Sequence, residues 1–133
     1  MEINFEKLIN EALKYRERAY APYSNFKVGA AVLFKSGNIY GGCNIENASY
    51  GAANCAERTA IFKGISEGET SIQALVVIGD LNSYTYPCGI CRQVIAEFAS
   101  KDTKIIVAKN VKDYVVRNFE EILPYAFDKE DLK

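Results

Sequence analysis

Histidine is missing altogether from the 133 residues, and so is tryptophan. Without an imidazole there is no Ser-His-Asp or Cys-His catalysis, and no metal site that depends on histidine. Proline is scarce as well. The three prolines are scattered and never cluster with Gly and Ser, so no linker divides the chain, and residues 1–133 read as one domain. No apolar run approaches the ~20 residues of a membrane span. The start, MEINFEKLINEALKYRERAY, lacks a basic stretch followed by an uninterrupted apolar one, so a signal peptide is not expected and a cytoplasmic location is. Neither sign of charge dominates: 16 basic against 17 acidic residues leave a net charge of −1. That balance supplies no general attraction for polyanions, so neither nucleic acid nor membrane is expected as a partner.

What remains is the composition of a folded globular protein, 49% apolar and 25% charged. Phe5, Leu8, Ile9, Ala12 and Leu13 recur at helical spacing, which predicts an amphipathic helix over 3–19 with Pro22 beyond its end. Val28 to Phe34, the turn Lys35-Ser36-Gly37-Asn38 and Ile39 to Cys43 predict a hairpin. The runs Ala74 to Ile78 and Ile105 to Ala108 are apolar at every position, as strands buried on both faces are. Each follows a helical candidate, over 54–64 and 88–99, and a short last strand is expected near Tyr114–Arg117. The order predicts an α/β fold of three layers, α/β/α, around a mixed, roughly five-stranded sheet.

The chemistry is concentrated in cysteine. Cys43, Cys55, Cys88 and Cys91 are four thiols in a chain expected to stay in the reducing cytosol, so metal ligation is favoured over disulfides. Pro87-Cys88-Gly89-Ile90-Cys91 opens a helix, with Pro87 suited to its first position. Cys55-Ala56-Glu57 opens another after Asn54, a residue suited to capping. Sulfurs at helix N-termini are favoured as thiolates. Three cysteines and a solvent position is the pattern of a catalytic zinc, whereas four closed ligands make a structural one. A Glu two residues past a ligand, on the same first turn, can face a metal-activated water without ligating. Cys-x-Glu with Pro-Cys-x-x-Cys is the general signature of zinc deaminases.

Four stretches together resemble the small, homotetrameric type of cytidine deaminase over nearly the whole chain: Ala21 to Ala31 (APYSNFKVGAA), Asn44 to Tyr50 (NIENASY), Cys55 to Ala60 (CAERTA) and Pro87 to Gln93 (PCGICRQ). The resemblance implies zinc-dependent hydrolytic deamination of cytidine and deoxycytidine to uridine and deoxyuridine in pyrimidine salvage. It implies one Zn²⁺ per subunit on Cys55, Cys88 and Cys91, and Glu57 as the proton shuttle. Arg58 would donate to a ligand sulfur, relieving the negative charge that three thiolates leave on the site. Asn44 and Glu46 would bind the ribose 3′-hydroxyl, Phe26 would pack on the pyrimidine, and backbone groups near Ala56 would read the base. Cys43 is expected to be a small buried side chain rather than a fourth ligand.

The C-terminal segment carries Phe119, Ile122, Leu123, Tyr125 and Phe127. So many apolar groups either fold back over the sheet or mark an interface. Leu123-Pro124-Tyr125-Ala126-Phe127 resembles the family's Leu-Pro-x-x-Phe ending, which implies a homotetramer with Phe127 donated to a neighbour's site. Two alternatives stay open at this point. A blasticidin-type deaminase shares the zinc signature, and a non-catalytic zinc-stabilised binding module would use all four cysteines.

Overall fold

A computed structural model describes residues 2–133. The first helix, α1 (Phe5–Arg16), starts where Asn4 caps it, the side-chain Oδ1 accepting from the Lys7 N–H at 3.1 Å. Glu6 in its first turn and Lys14 and Arg16 in its last complement the helix dipole. It stops at Arg16, three residues before the expected 19 and well short of Pro22. The reason is long-range. Tyr20 donates to the Asn44 carbonyl at 3.0 Å and accepts from Glu46 N–H at 2.8 Å, so the chain has to leave the helix to form a bridge with Ile45.

The sheet comprises β1 (Gly29–Phe34), β2 (Ile39–Cys43), β3 (Ile72–Ile78), β4 (Lys104–Ala108) and β5 (Tyr114–Asn118), in the order β2-β1-β3-β4-β5. Only β3 and β4 run parallel, from Ala74 opposite Lys104 to Val77 opposite Val107; the other neighbours are antiparallel. The helices α2 (Ala56–Ser66) and α3 (Gly89–Phe98) cover one face and α1 the other. The two-residue period of the strands sorts the core accordingly. Val32, Phe34, Leu75, Val77, Ile105 and Val107 pack toward α2 and α3, while Leu33, Val76, Ile78, Ile106 and Ala108 pack toward α1. Fully burying one such side chain contributes about 1.5–3 kcal/mol, so the all-apolar runs place β3 and β4 at the centre. The three layers expected from the sequence are therefore the observed ones. A final turn, α4 (Phe119–Ile122), returns Phe119 and Ile122 to the α2–α3 side of the core.

One end of the sheet is set up for chemistry. There β1 begins while β2 and β3 finish, Gly29 pairing with Cys43 on one side and Ile78 on the other. The starts of α2 and α3 are reached from those two strand ends. Helix α2 sits unusually close to the sheet because Gly42 has no side chain. A Cβ there would come within 2.5 Å of the Ala60 nitrogen and 2.9 Å of the Ala56 carbonyl oxygen, both backbone atoms that cannot swing aside. Gly42→Ala is thus expected to push α2 outward, to destabilise the protein by about 1–3 kcal/mol, and to lower its metal content. Denaturant unfolding and metal analysis of the purified variant check both effects.

Candidate active site

Cys55 and Cys88 occupy the N-cap positions of α2 and α3, and neither side chain caps its helix. The sequence suggested Asn54 as the cap and Pro87 as the first helical residue; Asn54 lies one position further out and Pro87 two, since α3 begins at Gly89. Asn54 instead donates to Thr59 Oγ1 at 3.1 Å. This shift matters, because an N-cap residue has extended backbone and directs its side chain across the helix end. Both sulfurs are thereby left free to meet. Cys55 Sγ and Cys88 Sγ lie 3.7 Å apart, and with Cys91 Sγ from the first turn of α3 all three fall within 4.8 Å of one another.

Three thiols this close are electrostatically interdependent. Cys91 donates to Cys55, and this bond, with those from Arg58 and Cys88, brings the Cys55 thiol down to about 5. The same bond holds the proton on Cys91, whose thiol is pushed up. These opposite shifts are two views of one shared proton. All three sulfurs ionise together only around a cation, and the donor set fits zinc: three soft sulfur ligands at two helix N-termini. Arg58 Nη2 donates to Cys55 Sγ at 3.4 Å, while its buried Nε has no partner. A guanidinium so placed reduces the excess negative charge of a three-thiolate site. Among the described residues this trio is the only such metal-capable group. Cys43 is buried at the end of β2, its thiol raised by burial, and stands outside the trio. That arrangement weighs against a closed four-cysteine site.

Glu57 sits one residue into α2 and is only 4% exposed. Burial is the main cause that lifts its carboxyl to about 7; the Cys55 charge adds to this, and Arg58 opposes it. A carboxyl held near neutrality takes and gives a proton at little cost. It lines a cavity of about 250 Å³ together with Phe26, Val28, Asn44, Glu46, Cys55, Ala56 and Cys88. Five of the expected substrate-facing and catalytic residues thus converge on one cavity wall: Phe26, Asn44, Glu46, Ala56 and Glu57.

Phe127 does not join them within its own chain. It is 61% exposed, with its carbonyl oxygen accepting from Gln93 Nε2 at 2.7 Å. Arg92 donates to the Pro87 carbonyl at 2.8 Å and the Ile122 carbonyl at 2.6 Å, bracing the tail against the start of α3. Tyr125 projects fully into solvent from a left-handed backbone, φ 55°. The tail therefore divides: Phe119, Ile122 and Leu123 fold back on the core, and Tyr125 and Phe127 do not.

Sequence reading missed Ser24, Thr85 and Tyr86, which also line the cavity. Ser24 lies within one of the four motif stretches and Tyr86 directly precedes Pro87; those positions were the available signals. Asn44 and Glu46 prove to be bonded already within the chain. Asn44 accepts from Val28 N–H and donates to the Phe26 carbonyl, both at 2.8 Å. Glu46 accepts from the backbone of Tyr23 and Ser24 at 2.9 and 3.1 Å and from the Ser24 hydroxyl. The Ser24 hydroxyl is the chief cause holding the Glu46 carboxyl below its ordinary range.

Residues 3–109 match the family described as the cytidine and deoxycytidylate deaminase zinc-binding region. A cytidine deaminase of Sporosarcina psychrophila is 50% identical over 130 residues, spanning 98% of this chain and 96% of that protein. The crystal structure of a cytidine deaminase from Burkholderia pseudomallei superposes with a TM-score of 0.87 at 43% identity, covering 94% of this chain and all of that one (100%). The cytidine deaminase of Mycobacterium tuberculosis superposes with a TM-score of 0.84 at 35% identity, over 95% of this chain and 98% of the other.

Proposed function

Because the chain belongs to the cytidine and deoxycytidylate deaminase zinc-binding family, we propose that it hydrolytically deaminates cytidine and deoxycytidine, releasing ammonia and leaving uridine and deoxyuridine for pyrimidine salvage. The observation that carries this reading is one cavity lined by the buried Glu57 carboxyl, by Phe26, Asn44 and Glu46, and by Cys55 and Cys88, two members of the three-sulfur group that Cys91 completes. Cys55, Cys88 and Cys91 hold one zinc per subunit. When bound, zinc supplies the Lewis acidity that makes water a nucleophile near neutral pH.

The remaining steps belong to side chains. Glu57 takes the proton of the attacking water and delivers it to N3 of the pyrimidine, then takes the remaining proton of the new C4 hydroxyl and passes it to the leaving amine as the C4 carbonyl forms and ammonia departs. Its burial supports that role, since a carboxyl near 7 works in both directions. Phe26 stacks on the base, backbone groups of Ala56 orient it, and Asn44 and Glu46 take the sugar hydroxyl. Arg58 steadies the Cys55 thiolate. Both faces of a single sheet are covered within the chain, which supports one catalytic domain. The proposed setting is the cytoplasm, with a free nucleoside as substrate; no helix among the described residues is long and apolar enough to cross a membrane. Comparing turnover of cytidine, deoxycytidine and blasticidin S tests the assignment. Ammonia is expected from the first two; release from blasticidin S alone would shift it to the blasticidin type.

The assembly belongs to the same reading: a homotetramer in which Phe127 completes a neighbour's cavity. Support comes from the braced tail, which presents Phe127 and Tyr125 outward at the cost of a strained backbone at Tyr125. Truncation before Pro124 is expected to keep zinc and raise KM about tenfold, on the order of what burying one aromatic ring contributes. Mixing truncated chains with full-length Glu57→Gln chains restores activity if the ring crosses between subunits. No recovery, in hybrids seen by native mass spectrometry, places its action within one chain.

A further inference from the structure

The loop from Tyr23 to Val28 carries Phe26 to the cavity; it starts in a turn closed by the Asn25 N–H on the Ala21 carbonyl at 3.0 Å, lies outside helix and strand, and contains Asn25 in a left-handed conformation, φ 57°. Beyond that turn, two side chains that follow β2 hold it in place. Asn44 grips its far end through Val28 N–H and the Phe26 carbonyl, and Glu46 grips its near end through Tyr23 and Ser24. One group joins these anchors. The Ser24 hydroxyl donates to Glu46 Oε2 and accepts from the Phe26 N–H at 3.0 Å, so it links the carboxylate to the residue bearing the aromatic ring.

A carboxylate offers roughly four acceptor positions. In Glu46, Oε1 receives two backbone N–H groups and Oε2 receives the Ser24 hydroxyl, which leaves one position, on Oε2. Ser24 and Glu46 both line the cavity that holds Glu57. We infer that Ser24 is a positioning residue for sugar recognition: its hydroxyl fixes Glu46 so that a single acceptor position on Oε2 is offered to one substrate hydroxyl, and locks Phe26 in register with it. The assignment rests on the proposed nucleoside activity and deepens it, because discrimination for a sugar hydroxyl then depends on a group that need not touch the sugar. Donation to an already fixed acceptor needs no reorganisation when substrate arrives.

Ser24 is exposed, so truncating it removes no core contact, and Ser24→Ala is expected to melt within a few degrees of wild type. The experiment measures kcat/KM for cytidine and 3′-deoxycytidine in wild type, Ser24→Ala, Ser24→Thr, Glu46→Gln and the Ser24→Ala/Glu46→Gln pair. Ser24→Ala is expected to lower the cytidine to 3′-deoxycytidine ratio about tenfold, mostly through KM, the loss of one well-placed hydrogen bond to a charged group. Ser24→Thr, which keeps the hydroxyl, recovers the ratio. In the Glu46→Gln background the Ser24 substitution changes the ratio no further, since it acts through that carboxylate. An equal loss on both substrates in Ser24→Ala, or an undiminished effect in the Glu46→Gln background, overturns the assignment. A wild type that turns over neither nucleoside defeats the proposed function instead, a result distinct from active wild type with an unchanged ratio in Ser24→Ala.

Discussion

Glu57→Gln is expected to keep its zinc and to lower kcat for cytidine by about 10⁴-fold, the upper end of what one general acid–base group supplies. The size of the effect follows from where the carboxyl sits. Glu57 is nearly inaccessible to solvent, so bulk water cannot stand in for it, and from the first turn of α2 it lines the cavity with its carboxyl within hydrogen-bonding reach of Cys91. Glutamine has the same shape but carries no transferable proton. Every step assigned to the carboxyl is therefore lost at once, while the fold and the ligands are untouched. Single-turnover kinetics together with zinc analysis check this. Retention of a tenth of wild-type turnover by the variant would remove Glu57 from the mechanism.

Cys88→Ala, Cys55→Ala and Cys91→Ala are each expected to lose zinc, activity and stability together, because binding a structural or catalytic metal is linked to folding. In Cys88→Ala the two sulfurs that remain, Cys55 and Cys91, also return to sharing a proton, as their opposed shifts indicate. Cys43→Ser provides the contrast. Its thiol lies outside the trio at the end of β2, so near-stoichiometric zinc and most of the activity are expected to survive. Metal loss in Cys43→Ser as complete as in Cys88→Ala would mean a closed four-cysteine site.

How far residues alone reveal such a protein depends on the range of the interactions involved. The strands β3 and β4 were legible because burial on both faces leaves no polar alternation, and α1 because its apolar stripe repeats at the helical period. The end of α1 was not legible. It is set by the bridge from Tyr20 to Ile45, a contact with no trace in local spacing. The α2 cap slipped by one residue, from Asn54 to Cys55, and the first residue of α3 by two, from Pro87 to Gly89, since Asn and Pro suit those positions by type, whereas the observed N-cap residues are cysteines whose sulfurs serve the site. The metal trio was legible because ligand chemistry restricts residue type severely. Asn44 and Glu46 would have passed for ordinary loop residues without the family resemblance, and their grip on the Phe26 loop spans sixteen to twenty-three positions. Ser24, Thr85 and Tyr86 lie in loops, where no period marks which side chain faces inward.

The central claim is that a zinc held by three cysteines and a carboxyl at Glu57 hydrolyse the amino group of a free pyrimidine nucleoside. The most direct measurement is turnover of cytidine in heavy-oxygen water, with zinc content, ammonia and uridine quantified in the same sample. The account predicts one ammonia per uridine, a labelled oxygen incorporated into the pyrimidine ring carbonyl, and a rate proportional to the zinc bound. Zinc-replete protein that releases no ammonia from cytidine, or that turns over equally well after its zinc is stripped, would contradict it.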